Sequence, residues 1–183
     1  MGPIEVLFGS LLVVFLWVGV IRTYPKELGV TTLVLAALYI MYRFGNQALK
    51  ALEDVIRRFG LQIAGTPNEK FIEFTLYLFF LLFIVFISYE GITLEFPGTP
   101  PKGTTGVLLN LASGFLNGYL VLGTIWYYLD RFNYPVQQFK LFTPPLSPFA
   151  QKLIPLLPQN LLPQPDMVFL GFLLFLLILR VIK

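Results

Sequence analysis

The chain contains neither histidine nor cysteine, and only 13% of its 183 residues are charged while 56% are hydrophobic. A soluble domain is about 25% charged, so a water-soluble fold is excluded. Thiolate and imidazole supply the ligands of most zinc, haem and iron–sulfur centres. Such centres have almost no candidate donors here, and no cofactor or metal is expected. The three methionines, Met1, Met41 and Met167, form no cluster. Disulfides within the chain are impossible, so cysteine usage is silent on the redox compartment. The net charge of +3 comes from 13 basic and 10 acidic residues spread along the chain, unlike the clustered footprint of a nucleic-acid binder. No nucleic-acid partner is expected. Acid–base work would fall to Glu90, Glu95 or Asp130 near an interface, with no paired base and no activated nucleophile suggested by spacing. No catalytic residue is assigned, and the chain reads as non-enzymatic.

What is present is a series of apolar runs. Val6 to Ile21 carries no charge over 16 residues, close to the roughly 20 needed to cross a bilayer core once Pro3 to Glu5 are added. Glu5 precedes this run where a cleaved signal would have a basic region, so the segment is expected to remain. Leu28 to Tyr42 is a second run of 15 residues. The short hinge Arg22 to Glu27 makes the pair an antiparallel hairpin, either spanning or re-entrant. Pro25 suits the first turn of the second helix, where its missing N–H costs nothing, and Glu27 suits the positive end of that helix. Gly45 to Phe59 changes character: Leu49, Leu52, Ile56 and Phe59 share one side at helical spacing, and Lys50, Glu53, Asp54, Arg57 and Arg58 gather on the other. This predicts an interfacial amphipathic helix over residues 45–60, with Gly60 as its stop. Lys50 with Asp54, Glu53 with Arg57 and Asp54 with Arg58 are pairs of opposite charge spaced to support it.

Phe71 to Tyr89 is a run of 19 residues with Glu73 near its start and Phe and Leu on all sides. Thr66, Pro67, Asn68 and Glu69 supply turn and cap chemistry ahead of it. The following loop, with Pro97, Pro100 and Pro101, should be irregular. Gly106 to Leu129 is the longest run at 24 residues and has a patterned polar content. Asn110 and Asn117 share a face with Gly114, Gly114 and Gly118 form a small-xxx-small pair, and Thr124 lies further along. This face packs internally or meets a partner.

Eight of the 14 prolines lie between Asp130 and Asp166, a density that no long regular element survives. Phe149 to Leu162 is nonetheless apolar, so this loop is expected to rest against membrane or protein. Met167 to Ile182 is a fifth apolar run of 16 residues, with Arg180 and Lys183 placed to snorkel. The fold class expected is therefore an all-α membrane protein with about five transmembrane helices and one interfacial amphipathic helix. It divides into a four-span bundle (1–129), a proline-rich membrane-associated loop (130–166) and a fifth span (167–183). Tyr24, Tyr39, Tyr42, Tyr89, Trp126 to Tyr128 and Tyr134 sit at segment ends, as interfacial aromatics do. The sides of the membrane divide the basic residues eight to five: Arg43, Lys50, Arg57, Arg58, Lys70, Arg131, Lys140 and Lys152 against Arg22, Lys26, Lys102, Arg180 and Lys183. The positive-inside rule then puts the amino terminus in the cytoplasm. No apolar run has an ionisable residue near its middle, and Glu5, Glu73 and Arg180 lie near ends, which weighs against ion-coupled transport.

The hinge Arg22-Thr23-Tyr24-Pro25-Lys26-Glu27 between two short spans resembles the basic-x-x-x-basic-acidic hinge of the colicin V production protein (CvpA) family. Leu111-Ala112-Ser113-Gly114-Phe115-Leu116-Asn117-Gly118 is similar to the glycine-containing last span of that family. The likeness covers about residues 1–130. It departs where Thr23 replaces the usual hinge glycine, where Asn117 stands in place of a basic residue, and in the added loop and fifth span. The resemblance implies a bacterial inner-membrane protein linked to toxin export or envelope maintenance, with no enzymatic activity. The candidate residues are then Asn110, Gly114, Asn117, Gly118 and Thr124 for helix packing or partner binding, and Arg22, Pro25, Lys26 and Glu27 for the interfacial hinge. The expected partners are the lipid bilayer and other membrane-protein subunits. Two other readings stay open: an accessory subunit of a respiratory or photosynthetic complex, favoured by the apolar proline-rich loop, and a channel or transporter component whose oligomer lines a pore with Asn110, Asn117 and Thr124.

Overall fold

The computed structural model describes residues 3–60, 65–66, 68–90, 94–97, 101–142 and 144–182. Every regular element among them is helical: α1 (Ile4–Arg22), α2 (Tyr24–Arg58), α3 (Glu69–Glu90), α4 (Thr104–Arg131), α5 (Pro148–Leu153), α6 (Pro158–Leu161) and α7 (Pro165–Val181), with 3-10 turns at Pro135–Phe139 and Ile154–Leu156. The fold is all-α. Helices α1 to α4 have the length and hydropathy to cross a membrane. The fifth apolar run forms α7, whose 17 residues rise only about 25 Å at ~1.5 Å each, a little short of a hydrocarbon core of about 30 Å. Pro67, Pro100 and Lys183, expected in turn, loop and snorkelling roles, lie outside the described residues.

Residues 45–58 do not form the separate interfacial helix that their charge pattern predicts. They continue α2, which runs unbroken for 35 residues, roughly 50 Å by the same rise. Near the break expected at Gly45, the Tyr77 ring of α3 packs so closely that a Cβ there would stand 2.4 Å from its hydroxyl. A glycine in a helix costs only about 1 kcal/mol, and packing of this kind offsets it. On the exposed extension, Asp54 pairs with Arg57 at 2.9 Å, three residues on, instead of with Lys50 or Arg58.

The hub is α4. Its small face receives α1 running antiparallel, and a neighbouring face receives α2, while α1 and α2 touch each other little beyond their hinge. Gly19 and Gly114 make the close approach possible: a Cβ on Gly19 would lie 2.4 Å from the Asn110 carbonyl oxygen, and one on Gly114 would lie 2.5 Å from the Phe15 carbonyl oxygen. Both obstacles are backbone, so no rotamer change relieves them. Helix α3 closes the bundle through Tyr77, stacked on Tyr128 with ring centres 4.3 Å apart, and α7 lies along α2 with Phe169 and Leu176 buried.

The described residues of the proline-rich segment form short helices and turns, some of which pack onto α3 and α4. Pro135, Pro148 and Pro158 each open a short helix or turn, and Pro165 opens α7, the position where a missing N–H costs nothing. After α5 the chain dips beside the middle of α4. Tyr119 donates its hydroxyl to the Leu156 carbonyl at 2.7 Å, the Pro158 ring seats on Gly123, and Gln159 Nε2 donates to Thr124 Oγ1 at 2.7 Å. Leu157 and Ala150 of this segment are buried in the same apolar core as α4.

Candidate functional site, a buried polar hinge

At the junction of α1 and α2 a single residue, Thr23, turns the chain. Its φ of 70° and ψ of 154° fall in a region that is essentially glycine territory and costs a β-branched residue about 1–3 kcal/mol. The turn leaves the first N–H groups of α2 without an N-cap, since Thr23 makes no side-chain capping bond. Asn110 of α4 takes that role, its Oδ1 accepting from the Tyr24 N–H at 2.8 Å.

One turn into α2 lies Glu27, whose side chain is 0% exposed. Its carboxylate is held from three elements. Arg22 Nε of α1 stands 3.1 Å from Oε1, an ion pair set off the axis of a hydrogen bond. Oε2 accepts from Asn117 Nδ2 of α4 at 2.8 Å and from the Tyr89 hydroxyl of α3 at 3.1 Å. The second hydrogen of the Asn117 amide goes to the Glu27 main-chain carbonyl at 3.0 Å. Thr31 Oγ1 lies 2.9 Å from that carbonyl and 2.7 Å from Asn117 Oδ1, so its one hydrogen is shared between them. Arg22 completes the ring by donating to the Tyr89 carbonyl at 2.8 Å while its guanidinium lies 4.8 Å from the centre of the Tyr89 ring. A buried carboxylate is tolerable only when paired and hydrogen-bonded in this way.

Two groups of residues that are far apart in the sequence therefore form one site. Asn110 and Asn117 bond the hinge, Gly114 seats α1, and Gly118 packs against Leu12 and Phe15. Arg22 and Glu27 are members of the network. Pro25 is buried beside it, its carbonyl accepting from the Phe96 N–H at 3.3 Å, whereas Lys26 is exposed and stands apart. Thr124 lies away from the hinge and belongs to the dock of the proline-rich segment. Sequence reasoning missed Thr31 and Tyr89. Thr31 follows Glu27 by four residues and so shares its helix face, which is a usable signal. Tyr89 had none, since an interfacial tyrosine and a carboxylate-binding one look alike.

At the opposite end of the bundle Tyr134 accepts from Trp126 Nε1 at 3.2 Å and donates to Asp130 at 3.1 Å, and burial pushes its phenol well above the usual tyrosine range. Glu53, Glu69 and Glu73 bring one carboxylate oxygen each within 4.8 Å of one another there, with a Glu69 oxygen accepting from the Gly65 N–H at 2.7 Å. No protein-family model, curated protein or solved structure matches this chain.

Proposed function

We propose that this chain is a non-enzymatic inner-membrane protein of bacteria that works by association with other membrane components, akin to the envelope and toxin-export factors of the CvpA kind, with its amino terminus in the cytoplasm. The observation that carries this reading is the meeting of its two resembling segments. The Arg22–Glu27 hinge and the Leu111–Gly118 stretch of α4, some 90 residues apart, are joined through Glu27 and Asn117. Two of the three departures from the family pattern, Thr23 and Asn117, also fall where the family residue would be at home; the added loop and fifth span remain outside it. Thr23 has the positive φ that glycine adopts freely, and Asn117 stands 2.8 Å from a carboxylate, where a basic side chain would form an ion pair.

Association is favoured over chemistry because the polar side chains of the hinge spend their hydrogen bonds on one another. It is favoured over a pore because Asn110, Asn117 and Thr124 are buried within a single chain and would have to break those bonds to line a channel. The accessory-subunit reading is supported by one feature, the exposed Phe149, Leu156 and Leu161 on the proline-rich segment, an apolar surface outside the spanning helices. Gentle extraction from native membranes, followed by stoichiometry and an absorbance spectrum of the co-migrating fraction, separates the two. A colourless assembly with envelope or export proteins supports the first, and a coloured respiratory or photosynthetic particle replaces it with the second. Orientation is read from single cysteines at Lys50 and Lys102, free of background because the chain has none. Labelling of intact cells by an impermeant maleimide at residue 102 and not at residue 50 is expected, and the reverse pattern refutes the placement.

A further inference from the structure

Two outward-facing helices are bounded at both ends by charges that belong to neither of the two ion pairs formed among the described residues. In α3 the charge-free stretch runs for 16 residues, Phe74 to Tyr89, between Glu73 and Glu90. In α7 it runs for 13, Met167 to Leu179, between Asp166 and Arg180, and for 16, as far as Ile182, once the Arg180 guanidinium snorkels past the end of the helix. Both stretches present apolar side chains outward: Phe79, Phe83 and Phe86 of α3 and Phe172, Phe175 and Ile178 of α7 are exposed. Either stretch rises about 24 Å at ~1.5 Å per residue, against roughly 30 Å for an ordinary hydrocarbon core. Tilt only shortens the projection, so this is the most that either helix offers.

The charged ends belong at water. Glu73 stands with Glu53 and Glu69, one oxygen of each within 4.8 Å of the others, and carboxylates so close repel too strongly to be carried into hydrocarbon. Glu90 is exposed. The carboxylates of Glu73, Glu90 and Asp166 sit on shorter stems than a guanidinium, so they have less reach with which to snorkel. The other long helices set no such limit. Glu5 of α1 is tied to Ser147 and Glu27 of α2 to the hinge, so neither marks a depth. Helix α4, with 28 residues, is long enough to fit a thin layer by tilting, whereas a short helix has no such remedy and the bilayer itself must thin.

We propose that α3 and α7 gather phospholipids with short acyl chains, so that the hydrocarbon layer against them is about 24 Å thick. The partner is a lipid defined by chain length and not by headgroup. The preference is independent of the protein partners considered above.

The test uses the full chain with Trp17→Phe, which removes the exposed tryptophan, and with Phe83→Trp or Phe172→Trp, which places a reporter on the outer face of α3 or α7. Trp126, only 4% exposed, contributes a constant background. Each protein is reconstituted in mixtures of dibrominated dioleoyl phosphatidylcholine with one unbrominated phosphatidylcholine, from dimyristoleoyl through dioleoyl to dierucoyl, and quenching gives the relative affinity for each. A mismatch of about 6 Å is enough to change that affinity roughly tenfold. Both reporters are therefore expected to favour dimyristoleoyl or dipalmitoleoyl lipid, by about tenfold over dierucoyl. Asp166→Leu/Arg180→Leu extends the apolar stretch of α7 and should move the maximum at residue 172 to longer chains while the maximum at residue 83 stays in place. A maximum at dioleoyl or beyond, a flat response to chain length, or a maximum at residue 172 that the double substitution leaves unmoved each overturns the proposal.

Discussion

Removing Arg22 should harm this protein more than removing Glu27, and removing both should harm it less than either change leads one to expect. Arg22→Leu leaves the carboxylate of Glu27, 0% exposed, with only Asn117 and Tyr89 as donors, and breaking a buried pair from this side costs about 3–5 kcal/mol. Glu27→Leu leaves a different remainder. The Arg22 side chain is 26% exposed, keeps its bond to the Tyr89 carbonyl at 2.8 Å, and can turn its head toward water. The Asn117 amide keeps the main-chain carbonyl of residue 27, so the chief casualty is the Tyr89 hydroxyl, at about 1–3 kcal/mol. In Arg22→Leu/Glu27→Leu no ion remains to be solvated, and two leucines pack into an apolar bundle. That variant should lie within about 2 kcal/mol of the parent. Reversible unfolding in mixed micelles of dodecyl maltoside and dodecyl sulfate, followed by circular dichroism, gives all four stabilities and the coupling between the sites. Equal losses for the two single variants, or a double variant whose loss equals their sum, would refute this account of the hinge.

Thr23→Gly should stabilise the protein by about 1 kcal/mol, the relief of backbone strain less the extra freedom of glycine in the unfolded chain; Thr23→Ala should not, and melting curves compare them. Gly114→Ala should cost about 1–3 kcal/mol through overpacking against α1, while Gly9→Ala, at an open position, leaves the melting temperature unchanged or slightly higher. Thr124→Val strips Gln159 of its partner, and a single cysteine at Leu157 should then react with maleimide measurably faster than in the parent; an unchanged rate would show that the dock does not hold the segment. Because the phenol of Tyr134 ionises less readily in the fold than in the unfolded chain, its share of stability is present below about pH 10 and is lost as pH climbs past that value. Tyr134→Phe should therefore flatten the alkaline fall in stability relative to the parent.

The helical runs were legible because the bilayer requires each spanning segment to bond its own backbone, and this writes length and apolarity into the sequence. The small face of α4 was legible for a related reason, since Gly114 and Gly118 at four-residue spacing have little use other than close approach. The boundary at Gly45 misled because a change in surface charge reports a change in surroundings and not a break in hydrogen bonding; Tyr77, which favours continuity there, lies 32 residues away. Glu27 was read at the end of a helix dipole, which is correct as far as one helix goes. Its full burial depends on three other helices arriving, and nothing local encodes that. The bonds Gln159–Thr124 and Ser147–Glu5 likewise link residues whose own neighbourhoods look like ordinary polar punctuation.

The unbroken course of α2 joins the buried hinge to the charged extension at its far end by a stiff rod. The rod is clamped along its first half, from Pro25 to Met41, and projects beyond it, which makes it a cantilever: a load on Arg57 and Arg58 would be borne by the packed half, at whose end Glu27 is gripped by three neighbours. Between that extension and the hinge the helix has no break to absorb such a load.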